Sequence, residues 1–248
     1  MKAMILAAGL GTRLRPLTAD RPKALVTVAG RTLLEITLCR LRSFGVSEVI
    51  INTHHFGGLI VEYLEANHNF GMRIEVSCEE ELLDTGGGLK RAAQFFLEPG
   101  RDERFILHNV DVLSTIDLAQ MAQFHTAQGT LATLAVQDRE TSRYLLFDER
   151  GQLCGRRNGR DGKDQLARPA KQLLPLAFSG IHILSPRIFA KMEEEGAFSI
   201  VNAYLRLAAQ GEKIVAFRAD ESYWRDLGRP ESILQAAQDI ESGVYRIS

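Results

Sequence analysis

The residues best suited to chemistry cluster near the start of the chain. Leu6-Ala7-Ala8-Gly9-Leu10-Gly11-Thr12-Arg13-Leu14 sets small residues directly behind an apolar run. Small side chains at Ala7, Ala8, Gly9 and Gly11 let a backbone approach a ligand closely, and glycines free the amides to form an anion-binding concavity. Arg13 adds a forked cation suited to phosphate oxygens, and Lys23 follows in a Pro22-Lys23 pair. A polar loop with two cations calls for an anion to order it. The dinucleotide fingerprint fails here, because Leu14 stands where the third glycine should be and Pro16 blocks a long helix. The Walker pattern fails too, since no Gly-Lys-Ser/Thr follows. Far along the chain, Asp111 closes a strand-like segment and Asp226 sits in Tyr223-Trp224-Arg225-Asp226-Leu227-Gly228. Asp111, at the C-terminal edge of a central strand, is well placed for a hard cation that keeps several waters.

These residues need elements to bring them together. Ala3–Ala7 reads as a buried central strand. Strands are also expected at Glu48–Asn52, Arg73–Cys78, Arg104–Asn109 and Leu131–Val136. Helices are expected between them at Thr32–Phe44 (with Gly45 as C-cap), Gly58–Ala66, Gly86–Leu97 and Leu118–Ala127. This alternation predicts an α/β fold, a Rossmann-like doubly wound, mixed and mainly parallel sheet flanked by helices. Ligands of such sheets bind at the carboxyl ends of the strands. The polar stretches at 8–13, 79–86 and 108–111 should therefore converge on one edge.

The second half is less regular. Gly151 to Arg168 is dense in glycine and arginine and reads as a mobile or inserted segment, with a strand-like piece at Tyr144–Phe147. Leu176–Leu184 returns as a strand, then helices at Pro186–Met192 and Ile200–Gln210. Lys213–Arg218 and Tyr223–Asp226 are short strands, and Pro230–Glu241 is a helix with proline at its start. No linker divides the chain, which is read as a single domain over 1–248 with functional halves at 1–140 and 141–248.

Composition narrows the class. The 248 residues are 45% hydrophobic and 25% charged, as in ordinary globular proteins. A formal net charge of −1 gives no reason to expect a nucleic-acid or membrane partner, so any anion site must be built locally. Three widely spaced cysteines, Cys39, Cys78 and Cys154, form neither a disulfide framework nor a zinc pattern, and point to a cytoplasmic protein. No apolar run approaches the roughly 20 residues of a membrane span.

Residues 3–30, AMILAAGLGTRLRPLTADRPKALVTVAG, resemble the signature of the nucleoside-diphosphate-sugar pyrophosphorylases, or sugar-1-phosphate nucleotidyltransferases. The resemblance continues through Asn52-Thr53-His54-His55, Asp84-Thr85-Gly86-Gly87, Asn109-Val110-Asp111, Phe178-Ser179-Gly180-Ile181 and Trp224–Gly228. The short chain and the Thr85–Gly88 run look like the small bacterial members, such as those that uridylylate N-acetylmuramate 1-phosphate, and are similar to those that guanylylate mannose 1-phosphate. The resemblance implies an enzyme that joins a nucleoside triphosphate to a sugar 1-phosphate and releases pyrophosphate. It implies Mg²⁺ held by Asp111 and Asp226, with Arg13 and Lys23 on the phosphates. Ala7, Ala8, Gly9, Gly11, Thr12, Glu81 and Gly86 would contact the nucleotide. Thr85, Asn109, Ser179 and Gly180 would line the sugar-phosphate pocket.

Glu81 bears on the choice of base. An ionised carboxylate only accepts hydrogen bonds. Uracil offers a ring N–H and guanine an N–H and NH₂ pair, whereas cytosine presents an acceptor. UTP or GTP is therefore expected over CTP, with Glu79 and Glu80 as neighbouring candidates. The chemistry implied is in-line attack by a sugar-phosphate oxygen on the α-phosphorus. That oxygen is largely ionised at neutral pH, because the second phosphate pKa is about 6. Positioning and charge neutralisation then carry catalysis without a general base. His54-His55 point to opposite sides of a strand end and, with His108, read as structural.

Two features depart from or limit this reading. Many relatives carry a Glu-Lys-Pro whose lysine meets the sugar phosphate, but here the stretch is Arg168-Pro169-Ala170-Lys171-Gln172. Lys171 or the cations Arg156, Arg157, Arg160 and Arg168 are the substitutes within reach. A nucleotide or sugar sensor that has lost the chemistry is the alternative function, and a nicotinamide oxidoreductase is disfavoured by the glycine pattern. The chain carries no hexapeptide repeat, so a monomer or homodimer is expected.

Overall fold

A computed structural model describes residues 1–97, 103–159 and 162–247. The first half runs β1 (Lys2–Leu6), a small hairpin of β2 (Thr27–Val28) and β3 (Arg31–Thr32), α1 (Leu33–Ser43), β4 (Glu48–Thr53), α2 (Gly57–Ala66) and β5 (Arg73–Cys78). It continues through α3 (Asp84–Arg91), α4 (Ala93–Phe96), β6 (Phe105–Asn109), β7 (Val112–Ser114), α5 (Leu118–Gln128) and β8 (Ala132–Gln137). The second half holds β9 (Arg143–Phe147), β10 (Leu153–Asn158), β11 (Asp164–Leu166), β12 (Leu174–Leu184), α6 (Ile200–Ala209), β13 (Ile214–Arg218), β14 (Trp224–Asp226) and α7 (Pro230–Glu241).

Ten strands form one sheet along the path β11-β10-β9-β12-β6-β1-β4-β5, with β8 on β12 and β13 on β8. The strands β6, β1, β4 and β5 are parallel, so their carboxyl ends share one edge. From β6 outward, β12 turns the sheet antiparallel. β12 is long enough to pair with β8 along one side and with β9 and then β6 along the other. A register shift between Phe178 and His182 breaks the β12–β8 ladder, and Gly180 within it has φ +73°. Bulges of this kind re-aim backbone out of the ladder. Here the bulge carries Ser179 and Gly180.

Alternation along the strands divides the core. Ala3 and Ile5 of β1 and Ile106 of β6 face one layer, packed with α1, α2, α5 and α7. Met4, Phe105 and Leu107 face the other, with Leu89 of α3, Phe95 and Phe96 of α4, and Ala203, Tyr204 and Leu207 of α6. Phe105, Phe96 and Phe189 form a cluster of near-parallel rings, with centroids 4.0 Å apart for Phe96–Phe105, 5.6 Å for Phe105–Phe189 and 5.9 Å for Phe96–Phe189. Helix starts follow their capping residues: Thr32 accepts the Glu35 N–H at 3.0 Å and Asp117 accepts that of Gln120 at 2.9 Å. Among the described residues no helix is long and apolar enough to cross a membrane.

Two local expectations change. The helix expected over Gly86–Leu97 starts earlier, at Asp84, and breaks at Ala92 into α3 and α4. The glycines that weaken this helix are needed for contact: Gly86 donates its N–H to the Phe198 carbonyl at 2.8 Å. A methyl group on Gly86 would overlap the Phe198 ring and lie 2.9 Å from that oxygen. The segment from Gly151 to Arg168 is no insertion lying over the sheet, because β10 and β11 extend the sheet itself. Its described arginines have partners, Arg157 on Asp164 at 2.6 Å, Arg156 on Gln165 at 2.8 Å and Arg168 on Asp148 at 3.4 Å, so charge density concealed the strand pattern.

His108 and His182 are buried on adjacent strands, and burial pushes their pKa values down to about 4 and about 3 from 6.5. His182 Nδ1 pairs with the Tyr204 hydroxyl at 2.7 Å, and His108 Nδ1 lies 2.8 Å from the Asn109 carbonyl. The unfolded chain takes up protons on these rings near pH 6.5, while the fold resists uptake until about 4 and 3. Stability is therefore complete above 6.5 and is lost as pH falls toward those lower values, by about 1.4 kcal/mol per pH unit for each ring. Urea unfolding followed across that window should show the decline, and His108→Gln should roughly halve its slope, leaving the His182 share. In a separate test, Gly86→Ala should cost about 1–3 kcal/mol in the same assay, through overpacking against Phe198.

Candidate active site

The site is built outward from β1. Its chain leaves the sheet at Ala7, whose N–H donates to Asn52 Oδ1 at 2.8 Å. Asn52 ends β4, is 2% exposed, and donates its Nδ2 to Glu79 Oε1 at 2.7 Å. Glu79 Oε2 accepts the Leu83 N–H at 3.0 Å. One amide thus fixes the glycine turn and the loop before α3 to the end of β4. A methyl group on Gly88 would lie 2.7 Å from both Asn52 Nδ2 and Glu79 Oε1, so α3 packs onto this bridge only through glycine.

A cleft of about 210 Å³ opens above the bridge, lined by Ala7, Ala8, Gly9, Lys23, Asp111 and Thr85 among others. This is the convergence of strand ends expected at one sheet edge. Gly11 has φ +63° and packs on Thr18 and the Lys23 side chain, giving the turn its sharp reversal ahead of the 3₁₀ turn Thr12–Leu14. Lys23 is buried, and its ammonium forms an ion pair with an Asp111 carboxylate oxygen inside the cleft.

A larger cavity of about 940 Å³ adjoins it and shares Asn109 as a wall. Its lining includes Arg13, Ser179, Gly180, Trp224 and Asp226. β14 pairs antiparallel with β7, setting Asp226 opposite Val112, and the Leu227 N–H donates to the Asp111 carbonyl at 2.8 Å. Residues 115 apart in sequence are therefore one backbone step apart across a two-strand ladder. Asp226 Oδ1 accepts the Gly228 N–H at 2.6 Å. A methyl group on Gly228 would lie 2.6 Å from that oxygen and 2.9 Å from an Arg13 guanidinium nitrogen. Arg13 and Asp226 thus both come close to the space that a side chain at Gly228 would fill.

The expected residues fall into two groups. Ala7, Ala8, Gly9, Arg13, Lys23, Thr85, Asn109, Asp111, Ser179, Gly180 and Asp226 line one cavity or the other. Thr85 also caps α6, its hydroxyl accepting the Ile200 N–H at 2.9 Å. Gly11, Thr12, Glu81 and Gly86 line neither. Glu81 is exposed in the loop before α3, beside Leu82, which does line the cleft. Lys171 is exposed and lines neither cavity. Arg168 is held by Asp148 at 3.4 Å, and Arg160 lies outside the described residues.

Sequence reasoning missed Arg139. It lies in the turn between β8 and β9, with its guanidinium carbon 3.5 Å from the centroid of the Trp224 ring. Burial lowers its pKa to about 10, against the opposing pull of the Asp226 charge. Nothing in its local sequence, Gln137-Asp138-Arg139-Glu140, marks it, because its partners come from strands far along the chain. The clamping role of Asn52 was equally hidden, although the residue lay in a quoted motif.

Known proteins resemble both the sequence and the fold. The family described as "Nucleotidyl transferase" matches residues 2–243. The chain is 36% identical over 243 residues to "N-acetylmuramate alpha-1-phosphate uridylyltransferase" of Caulobacter vibrioides, covering 94% of each chain. It is 28% identical to "Mannose-1-phosphate guanylyltransferase" of Mycobacterium tuberculosis, covering 98% of this chain and 65% of that protein. The chain thus spans nearly all of the first relative and slightly under two thirds of the second. The crystal structure of HddC from Yersinia pseudotuberculosis complexed with GMP-PN shares the fold, with a TM-score of 0.75, 23% identity, and coverage of 96% of this chain and 99% of that one. The structure of UDP-glucose pyrophosphorylase complexed with UDP-glucose does too, with a TM-score of 0.77, 19% identity, and 98% of each chain covered. With the family match spanning almost the whole sequence, the chain belongs to the nucleotidyl transferase family, whose matched members here act on sugar 1-phosphates.

Proposed function

We propose that the protein transfers a nucleotidyl group from UTP to a sugar 1-phosphate, giving a UDP-sugar and pyrophosphate. The observation that carries this reading is the pair of adjoining cavities. One presents the glycine turn, Lys23 and Asp111; the other presents Arg13, Asp226 and the Ser179–Gly180 bulge. A nucleoside triphosphate suits the first and a sugar phosphate the second, with their phosphates meeting at the wall formed by Asn109. UTP is favoured over GTP because the relative that matches over 94% of both chains is a uridylyltransferase.

The donor set fits a hard divalent cation such as Mg²⁺. Asp111 and Asp226 offer carboxylate oxygens from neighbouring backbone positions. Among the described residues no cluster of three His, Cys, Asp or Glu groups could hold a metal, so substrate phosphates and water would supply the remaining ligands. When bound, the cation would neutralise charge on the phosphates of both substrates.

The chain's own residues do the rest. The turn amides at Ala8 and Gly9 approach the phosphates closely. Lys23 balances Asp111 in the cleft and offers charge to the phosphate bound there. Arg13 reaches from the glycine turn into the larger cavity and offers its charge to the phosphates where the two cavities meet. The attacking oxygen is already ionised near neutrality, which leaves no proton for a base to remove. The buried, neutral His108 and His182 are unsuited to that task in any case. Glu79 is committed to Asn52 and Leu83, which leaves the exposed Glu80 and Glu81, and the base-facing role is assigned to Glu81 because it adjoins the cleft-lining Leu82.

A matrix of UTP, GTP and CTP against N-acetylmuramate, mannose and glucose 1-phosphates, read by pyrophosphate release, tests this reading. Turnover should be best with UTP, and CTP as the best donor would exclude Glu81 as the base reader. Glu81→Ala should narrow the gap between UTP and CTP. Asp111→Asn should lower kcat by roughly 100-fold or more with the fold retained, although loss of the Lys23 ion pair should lower the thermal midpoint. Silence with every pair, beside measurable UTP binding, would instead indicate a nucleotide sensor.

A further inference from the structure

The larger cavity is lined by five arginines, Arg13, Arg139, Arg143, Arg156 and Arg229, and by one carboxylate, Asp226. The whole chain has a formal net charge of −1, so this positive charge is a local construction. The five are not equivalent. Arg156 donates to Gln165 at 2.8 Å and to Asn202 at 2.9 Å. Arg13 belongs to the glycine turn and sits by Gly228. Arg143 and Arg229 are exposed, where water already solvates a guanidinium well.

Arg139 is the exception. One Nη donates to the Phe178 carbonyl at 2.9 Å, and its flat face rests on Trp224. Its Nε is buried with no hydrogen-bond partner. No described carboxylate comes within ion-pair distance, although Asp226 is near enough for its charge to be felt. A desolvated cation with unmatched donors costs free energy until an anion arrives. Trp224 is fixed in turn, donating its Nε1–H to the Ser179 carbonyl at 2.8 Å. The Arg139 plane is therefore held by Trp224 and by the bulge of β12, and it is held before any ligand binds.

Its position selects the ligand. Trp224 and Asp226 lie two residues apart on β14, so they share a face of that strand. Arg139 therefore stands at the end of the cavity where an acceptor phosphate must lie to reach the nucleotide's α-phosphorus. Rival cations are committed elsewhere: Arg157 to Asp164, Arg168 to Asp148 and Gln152, and Lys171 to solvent. We propose that Arg139, held flat on Trp224, binds the phosphate of the sugar 1-phosphate acceptor and supplies the cation that the missing Glu-Lys-Pro lysine would provide. This rests on the nucleotidyltransfer reading for the identity of the anion.

Trp224 is the chain's single tryptophan, so its emission reports directly on the cavity. Wild type, Arg139→Lys and Arg139→Met would be titrated with glucose 1-phosphate, inorganic phosphate and unphosphorylated glucose. Calorimetric titration alongside covers any change in baseline emission. Wild type should respond to glucose 1-phosphate, weakly to inorganic phosphate and not to glucose. Arg139→Met should weaken sugar 1-phosphate binding by roughly 10- to 100-fold. Arg139→Lys should fall between, since it keeps the charge without the fork. In turnover assays the acceptor KM should rise in step while the UTP KM holds. Unchanged acceptor affinity in Arg139→Met would overturn the proposal, as would an equal rise in both KM values with a lowered thermal midpoint. If no donor–acceptor pair releases pyrophosphate, the transfer reading fails. The titrations still decide Arg139, because an absence of sugar-phosphate binding, or binding untouched by the substitution, refutes it.

Discussion

The cleft depends on one buried side-chain amide. Asn52 accepts from Ala7 and donates to Glu79, and Glu79 accepts from Leu83. Only an amide serves this position, because the group must accept from a backbone N–H on one side and donate to a carboxylate on the other. An aspartate would set two anions against each other, and an apolar residue would strand a buried carboxylate. With the bridge made, the glycine turn and the loop before α3 have fixed positions relative to β4. The Thr85–Gly88 run then has its explanation in packing. Gly86 meets Phe198 and Gly88 meets the bridge, so the helix that walls the cleft lies closer than a side chain allows.

The second half of the chain supplies what the parallel strands cannot. A doubly wound sheet gathers loop residues at one edge, but each loop reaches only a short way over it. β12 runs antiparallel beside β6 and carries a bulge over the strand ends. β14 pairs with β7 and brings Asp226 to within one backbone step of Asp111. The same strand presents Trp224 to Arg139. A single short ladder thus places a candidate metal ligand and the aromatic platform for a cation.

Much of this was legible in sequence, and the pattern of what was not is physical. Buried parallel strands such as Ala3–Ala7 and Glu48–Asn52 announce themselves as short apolar runs, because both faces are covered. The placement of Gly9, Arg13 and Lys23 at the cavities was legible because composition at one place carried it. Strands β10 and β11 were not, since on an exposed edge the residues that satisfy one another are charged, and Arg157 with Asp164 reads locally as a polar loop. The early start of the helix expected over 86–97 was hidden because its first turn is tied to Phe198, remote in sequence, which accepts from Gly86 and donates to the Leu83 carbonyl. Arg139 was invisible for the same reason. A cation becomes a site residue through what desolvates it, and here that is Trp224, 85 positions downstream.

The distribution of charge completes the argument about mechanism. A chain with a net charge of −1 carries no long-range field that would gather phosphates, so attraction must act within the cavities. There the cations are held differently. Lys23 is neutralised by Asp111, so it adds little net field to the cleft. Arg139 has no such partner and is held by an aromatic face and a carbonyl, neither of which cancels its charge. The cleft is therefore nearly balanced before ligand binds, while the larger cavity is strongly positive. Two phosphate-bearing substrates repel each other, and under the proposed placement of the acceptor in the larger cavity this asymmetry lowers that repulsion where the nucleophile must advance. Because the chemistry needs no proton moved, placing these charges is the larger part of what the fold contributes.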